Sequence, residues 1–173
     1  MPNHDDLYGH CLAPKYLERF EDRKQRTWLR LSGDGASTFV DYAHAAIEGG
    51  YLATQFFTNF STLWLIDTDG DVLVAVEEGV DVDAKDPSES YPLPRKGIRP
   101  PDHRLGHPAL VEGGSARIGG ELHVRGGDPI IYIDNRSGRF GRGRTAEQLE
   151  AAAELFRKMG LQMSVDYVPL QLT

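Results

Sequence analysis

The sequence predicts a single α+β domain whose sheet is mainly antiparallel. Two pairs of apolar runs, each joined by a turn signal, predict two β-hairpins, and a well-capped helix follows the second pair. A chain of 173 residues with 40% hydrophobic and 26% charged residues fits one globular domain. We therefore expect residues 1–173 to form one unit, in which two hairpins and a C-terminal strand build the sheet and two or three helices pack on it.

Three elements are predicted before the first hairpin. Residues 13–23 read as a short helix, because Pro14 occupies a first-turn position that tolerates a missing N–H. Residues 27–31 have the character of a strand. The segment Ser37–Glu48 predicts a second helix, capped by Ser37 or Thr38 and ended at Gly49-Gly50. Its buried stripe comprises Phe39, Val40, Ala43, Ala46 and Ile47.

The first hairpin is predicted at residues 62–67 and 72–77, joined at Asp69-Gly70. An Asp-Gly pair between apolar runs is a strong hairpin signal. Both runs are almost continuously apolar, so we expect both faces to be buried. The acidic spacing of this turn resembles a calcium loop, but Val72 stands where such a loop needs glycine. A hairpin turn therefore explains the aspartates better than a metal site does.

Residues 78–104 contain five prolines and many acids, which predicts a long irregular connection, either a lid or a disordered insertion. A second hairpin follows at Ser115–Val124 and Pro129–Asp134, across Gly126-Gly127-Asp128. Thr145–Met159 is predicted as a helix with a capping box formed by Thr145 and Gln148. The alternating segment Leu161–Val168 predicts the last strand.

Composition favours a cytoplasmic protein that neither crosses a membrane nor forms an internal disulfide. No apolar run approaches the ~20 residues that a transmembrane helix needs, and the polar N-terminus, Met1–Asp6, lacks the pattern of a secretory signal. Cys11 is the only cysteine, which also excludes a thiolate zinc cluster. No cofactor is predicted, and the sequence leaves the oligomeric state open.

Charge is unevenly distributed along the chain. Residues 1–94 carry 7 Lys+Arg against 17 Asp+Glu, whereas residues 95–144 carry 10 against 5. Nine of those ten cations are arginines, whose planar fork suits carboxylates and phosphates. Two interpretations follow: the basic block binds an anionic ligand, or the acidic first half packs against the basic second half.

The segment from Asn135 to Arg144 (NRSGRFGRGR) is the main candidate for a binding site. Its glycines allow backbone N–H groups to face a ligand, its arginines supply positive charge, and it leads into a helix N-terminus. We expect an anion site in which Arg117, Arg139 and Arg142 hold the charge. Asn135 and Ser137 would orient the ligand.

Two residues are candidates for moving a proton. Glu121 follows Gly119-Gly120 within a strand, where a double glycine indicates a bulge or a close backbone approach. A carboxylate there can act as a base, or it can form a structural ion pair. Of the six histidines, His107 is the acid–base candidate. A zinc site with His103 is not expected, because Gly106 and Pro108 prevent a regular helix.

The motifs RIGGEL (117–122) and NRSGRF (135–140) together resemble a pattern shared by a family of bacterial proteins of uncharacterised activity. In that pattern a Gly-Gly-Glu strand precedes an Asn-x-Ser-Gly turn that ends in an aromatic residue. The resemblance covers about residues 104–168. It implies that these residues form one structural unit, and it implies no activity, cofactor or partner.

Three functions compete at this stage. The first is an enzyme, or a former enzyme, that binds a phosphate-bearing small molecule such as a nucleotide. The alternative is a non-catalytic protein-interaction module, for example an accessory or neutralising partner of a bacterial effector, whose acidic first half steers a basic protein partner. The third is nucleic-acid binding with Tyr132 and Phe140 as stacking platforms. The acidic pI of about 5.3 argues against nucleic acid as a partner.

Overall fold

The computed structural model describes residues 3–49, 57–81, 83, 89–95, 103–125, 128 and 130–170. The named helices and strands within these ranges are, in chain order, α1 (His4–Tyr8), β1 (Leu29–Arg30), α2 (Asp34–Glu48), β2 (Thr62–Asp67), β3 (Val72–Val76), β4 (Glu78–Val80), β5 (Ser90–Pro92), β6 (His103–Leu105), a 3₁₀ helix (His107–Val111), β7 (Ala116–Val124), β8 (Ile131–Asp134), α3 (Ala146–Lys158) and β9 (Met163–Asp166).

The strands form two sheets. A six-stranded sheet has the order β1-β3-β2-β7-β8-β9, and a three-stranded sheet has the order β5-β4-β6. Every pairing is antiparallel except β8 with β9, which α3 connects as a crossover. The predicted α+β class with a mainly antiparallel sheet is therefore confirmed. The parallel pairing of the last strand was not predicted.

Both predicted hairpins are present. In the first, Gly70 has a φ of +90°, and the Asp67 carboxylate accepts hydrogen bonds from the backbone N–H groups of Asp69 and Asp71, both at 2.9 Å. The aspartates therefore hold the turn, as predicted. All six residues of β2 are buried, because apolar clusters cover both faces of the sheet. In the second hairpin, Gly126 and Gly127 lie outside the described residues.

The two longer predicted helices are confirmed. The helix α2 begins three residues before the predicted cap, and the hydroxyls of Ser37 and Thr38 donate back to the Asp34 carbonyl oxygen. The helix α3 has the predicted capping box of Thr145 and Gln148. Its predicted stripe is fully buried and comprises Leu149, Ala152, Ala153 and Phe156.

The helix predicted at residues 13–23 is wrong. Phe20 has a φ of +76°, a left-handed conformation that interrupts any helix. Just upstream, Leu12 forms an isolated bridge with Ala116 of β7. Tertiary contacts therefore override the local helical preference.

The expected irregular connection at residues 78–104 contains three short strands, β4, β5 and β6. Pro92 lies in β5, an edge strand, where a missing N–H is tolerated. Glu78 is fully buried, because its carboxylate accepts hydrogen bonds from the backbone of Arg26 and Thr27 and from the Ser90 hydroxyl. Residues 82, 84–88 and 96–102 lie outside the described residues.

The six-stranded sheet separates two apolar clusters. One face packs against α1, α2 and α3, through residues that include Tyr8, Phe39, Trp64 and Phe156. The opposite face is covered by the 3₁₀ helix and by the turn that carries Phe140, which is fully buried. This second face, next to Leu63, contains the candidate site. Within the described ranges, no helix is long and apolar enough to cross a membrane.

Candidate functional site

A cleft of about 360 Å³ opens on the second face of the sheet. We call it the carboxylate cleft, because four glutamates from three segments of the chain line it together with arginines and histidines. Its described lining comprises Glu18, Glu21, Leu63, Glu77, His103, Arg104, Gly106, His107, Glu121, Arg136, Ser137, Gly138 and Arg139. The predicted convergence of Glu121, His107 and the arginine turn on one surface is therefore present.

Two glutamates lie beside the central strand of this cleft. Arg104 Nη1 donates to both carboxylate oxygens of Glu77, at 3.1 and 3.3 Å. The Glu121 carboxylate lies 3.3 Å from Arg95 and accepts a hydrogen bond from the Ser61 hydroxyl. Burial raises the pKa of both carboxyls, and the neighbouring arginines oppose that rise. Each glutamate therefore holds a proton more readily than an exposed carboxylate does.

His107 lines the same cleft but is poorly suited to act as an acid. Its Nε2 lies 2.8 Å from the carbonyl oxygen of Gly120 and donates to it. Burial lowers the pKa of His107 to about 4, so the imidazole is neutral near pH 7. The neutral ring then keeps its one lone pair on Nδ1.

Arg139 is held in place by a buried carboxylate. Its Nη1 donates to Glu21 Oε1 at 2.9 Å, and the Glu21 side chain is only 1% exposed. The Glu21 carboxylate also accepts from the backbone N–H groups of Glu18 and Gly106. The buried Nε of Arg139 has no acceptor among the described residues.

A second cavity, of about 490 Å³, adjoins the cleft and shares Gly138 and Arg139 with it. We call it the basic cavity, because its described lining contains three cations and no carboxylate. That lining comprises Leu12, Ala13, Lys15, Tyr16, Gly138, Arg139 and Arg142. The Arg139 guanidinium lies 4.7 Å from the centre of the Tyr16 ring. Two of the three predicted anion-binding arginines, Arg139 and Arg142, therefore lie together here.

Arg117, the third predicted arginine, lines neither cavity. Its guanidinium donates to the Asp5 carboxylate and to the carbonyl oxygens of Gly9 and Thr68. The strand pairing places the irregularity at this residue, since Ile118 pairs with Ile66 and Ala116 pairs with Asp67. Arg117 therefore ties the N-terminal segment to β7, and it lies apart from the two cavities described here.

Asn135 and Ser137 shape the turn that carries the site. Asn135 is fully buried; its amide donates to the carbonyl oxygens of Gly141 and Val168, and its carbonyl accepts from Val168 N–H. The Ser137 hydroxyl accepts from Phe140 N–H at 3.1 Å. Ser137 lines the carboxylate cleft, whereas Asn135 lines neither cavity. Both side chains therefore hold the turn, and of the two only Ser137 reaches the candidate site.

The double glycine in β7 is explained by the close approach of neighbouring backbone and not by a β-bulge. Gly119 and Gly120 pair regularly with Leu65 and Trp64. A Cβ atom on Gly120 would lie 1.9 Å from the Asp134 carbonyl oxygen, a distance that no side chain can accept. The glycine therefore allows β7 and β8 to pack against each other and places Glu121 beside the cleft.

Several site residues were not predicted from the sequence. Glu77, Arg104 and Arg136 line the cleft, and Lys15 and Tyr16 line the basic cavity. For Glu77 a signal existed, because a carboxylate ending a buried apolar strand needs a partner. The other residues carried no local signal, since only the tertiary fold brings them to the site.

The acidic first half of the chain packs against the basic second half. Ion pairs join Asp5 to Arg117, Glu77 to Arg104, and Glu21 to Arg139. The second interpretation of the charge distribution is therefore supported at these positions. The two interpretations coexist at Arg139, which pairs with Glu21 and also lines both cavities.

The comparisons with known proteins add no functional information. No family model matches the chain, and neither the curated proteins nor the solved structures include a significant match. Within the described ranges, no three or more His, Cys, Asp or Glu side chains are grouped as metal ligands. The candidate function therefore depends on the geometry of the two adjoining cavities.

Proposed function

We propose that this protein binds a phosphate-bearing small molecule, such as a nucleotide or a sugar phosphate, across the basic cavity and the carboxylate cleft. The observation that carries the proposal is the shared wall formed by Gly138 and Arg139. The basic cavity on one side is lined by cations, whereas the cleft on the other side is lined by carboxylates, by neutral His107 and by Arg104 and Arg136. A ligand with an anionic end and an uncharged end that both donates and accepts hydrogen bonds fits this arrangement.

The phosphate belongs in the basic cavity. Lys15, Arg139 and Arg142 line it, and charge-assisted hydrogen bonds from guanidinium groups to phosphate are among the strongest polar contacts in proteins. The exposed ring of Tyr16, at 62% exposure, supplies an aromatic surface beside them. Arg139 is already oriented by Glu21, so little side-chain entropy is lost when an anion binds.

The remainder of the ligand belongs in the carboxylate cleft. There Glu77 and Glu121 accept hydrogen bonds from sugar hydroxyls or from the N–H groups of a base, beside the neutral imidazole of His107. The protein-interaction alternative has less support, because acidic side chains of the first half, including Asp5, Glu21 and Glu77, already pair with arginines of the same chain.

Thermal-shift measurements with matched pairs of compounds test this proposal. Nucleoside 5′-monophosphates and sugar phosphates are compared with the same compounds lacking phosphate. A phosphorylated compound at 100 times its dissociation constant should stabilise the protein by about 2.7 kcal/mol. Its unphosphorylated partner should have little effect at the same concentration. If no phosphorylated compound raises the melting temperature, the proposal fails.

The variant Arg142→Ala tests where the phosphate binds. Loss of one charge-assisted hydrogen bond costs about 1.5–3 kcal/mol, so the affinity for phosphorylated compounds should fall by one to two orders of magnitude. Arg157→Ala is the matched control, because Arg157 lies on α3 beside Glu150 and Glu154 and lines neither cavity. Equal affinities for the two variants would contradict binding in the basic cavity.

A further inference from the structure

The two sides of the basic cavity come from distant parts of the chain. One side is formed by residues 12–16, which we call the N-terminal wall and which contribute Leu12, Ala13, Lys15 and Tyr16. The other side is the turn of residues 135–144, which contributes Gly138, Arg139 and Arg142. The shape of the cavity therefore depends on what holds the N-terminal wall against the turn.

Arg144 joins the two sides. Its Nη2 donates to the carbonyl oxygen of His10 at 2.7 Å, and its Nε donates to the carbonyl oxygen of Phe140 at 3.4 Å. His10 stands two residues before the N-terminal wall, and Phe140 lies within the turn. One planar guanidinium, with donors in a fixed fork, therefore spans the two chain segments. Arg144 is 8% exposed, so water competes little for these hydrogen bonds.

The backbone beside His10 is shaped to admit this guanidinium. A Cβ atom on Gly9 would lie 2.1 Å from Arg144 Nη1, so only glycine leaves the necessary space. Gly9 also has a φ of +82°, which other residues rarely adopt. Beyond His10, Leu12 N–H donates to the carbonyl oxygen of Ala116 at 2.7 Å. The chain thus enters the N-terminal wall in a fixed position.

Arg144 differs from the other arginines that hold the first half of the chain, because its acceptors are neutral. Arg117 is paired with Asp5 and Arg139 with Glu21. Among the described residues, no carboxylate lies within 4 Å of the Arg144 guanidinium. A buried cation without a counter-ion is unfavourable, and an anion in the neighbouring basic cavity offsets part of that cost. The position of Arg144 is therefore coupled to anion binding as well as to the fold.

We infer that Arg144 is a positioning residue for the phosphate: it holds the N-terminal wall opposite Arg139 and Arg142, so that one phosphate is contacted from both sides. This inference rests on the proposed function. Arg144 does not line the cavity, so it acts through the backbone of His10. Without the bridge, the side chain of Lys15 must be ordered when the ligand binds, and that ordering costs affinity.

Calorimetry with the nucleoside 5′-monophosphates and sugar phosphates of the thermal-shift series tests this inference. Arg144→Met should bind the phosphorylated compounds at least about tenfold more weakly than the wild type. Arg144→Lys keeps the positive charge but lacks the planar fork that reaches both carbonyl oxygens, so it should also bind them more weakly. If Arg144→Met does not fold, Arg144→Lys carries the test. A lysine variant with wild-type affinity would show that charge alone is sufficient and would overturn the bridging role.

The matched control is Asp5→Ala. Asp5 accepts a hydrogen bond from Arg117, which is the other tie on the same N-terminal segment, and it lines neither cavity. This variant should lose stability but keep the wild-type affinity for phosphorylated compounds. An equal loss of affinity in Asp5→Ala and Arg144→Met would mean that general loosening explains both, and it would overturn the inference.

Cys11 gives a direct measure of how the N-terminal wall is held, because it is exposed, lies next to His10 and is the only cysteine. By electron paramagnetic resonance, a nitroxide on Cys11 should move more freely in Arg144→Met than in the wild type or in Asp5→Ala. An equally restricted label in Arg144→Met overturns the inference. If Arg144→Met binds phosphorylated compounds as tightly as the wild type, the inference fails and the proposed function stands. If the wild type binds none of them, both fail.

Discussion

Replacement of Arg139 by methionine tests whether the buried ion pair holds the two cavities together. Arg139 and Glu21 lie 2.9 Å apart, with side-chain exposures of 17% and 1%. Loss of one partner of a buried pair costs about 3–5 kcal/mol, because the other charge is left without compensation. Glu21 keeps its hydrogen bonds from Glu18 N–H and Gly106 N–H. The expected loss therefore lies at the lower end of that range, at about 3 kcal/mol.

Urea unfolding at 25 °C measures this loss. Phe156→Ala provides a core reference, for which about 3–5 kcal/mol is expected, and Lys158→Met, at an exposed position of α3, provides a surface reference within about 0.5 kcal/mol of the wild type. Addition of Glu21→Gln to Arg139→Met should recover part of the loss, because the buried group is then neutral. An Arg139→Met protein as stable as the surface reference would refute the structural role of the pair.

Three further predictions concern stability. The pKa of His107 is lowered to about 4, so the neutral imidazole contributes its full stability above pH 6.5, and this contribution is lost as the pH falls towards 4. Urea titrations should therefore show that the stability difference between wild type and His107→Asn shrinks by about 3 kcal/mol over that range. Gly120→Ala should cost about 3 kcal/mol or prevent folding, because its Cβ would meet the Asp134 carbonyl oxygen at 1.9 Å. The control is Gly138→Ala, whose Cβ would have no neighbouring atom of the described residues within 4 Å, and this variant should melt near the wild-type temperature. Glu78→Gln should lower the free energy of unfolding by about 3 kcal/mol, because an amide NH₂ cannot accept the hydrogen bonds that the buried carboxylate accepts.

Features encoded in neighbouring residues could be predicted from the sequence. The turn at Asp69-Gly70, the capping box of Thr145 and Gln148, and the apolar stripe of α3 are all local signals, and the structure contains each of them. The prediction of a helix at residues 13–23 was wrong, because its neighbouring residues do not determine the structure of that segment. That segment is shaped by distant partners, through the bridge of Leu12 to Ala116 and the pairing of Glu21 with Arg139.

Some residues of the candidate site could likewise be predicted from the sequence, and others could not. The turn of residues 135–144 was recognisable because glycine and arginine alternate within it, and it does contribute Ser137, Arg139 and Arg142 to the two cavities. Glu77 could not be linked to Glu121, because only the position of β2 between β3 and β7 brings them to one face. Arg117 does not join the other two arginines, because it lies at a strand irregularity and contacts Asp5.

A crystal structure with a bound nucleoside 5′-monophosphate tests the central claim most directly. The account predicts phosphate oxygens at about 2.7–2.9 Å from guanidinium nitrogens of Arg139 and Arg142, with the sugar extending past Gly138 towards Glu77 and Glu121. A phosphate bound elsewhere on the surface, with both cavities filled only by solvent, would contradict it.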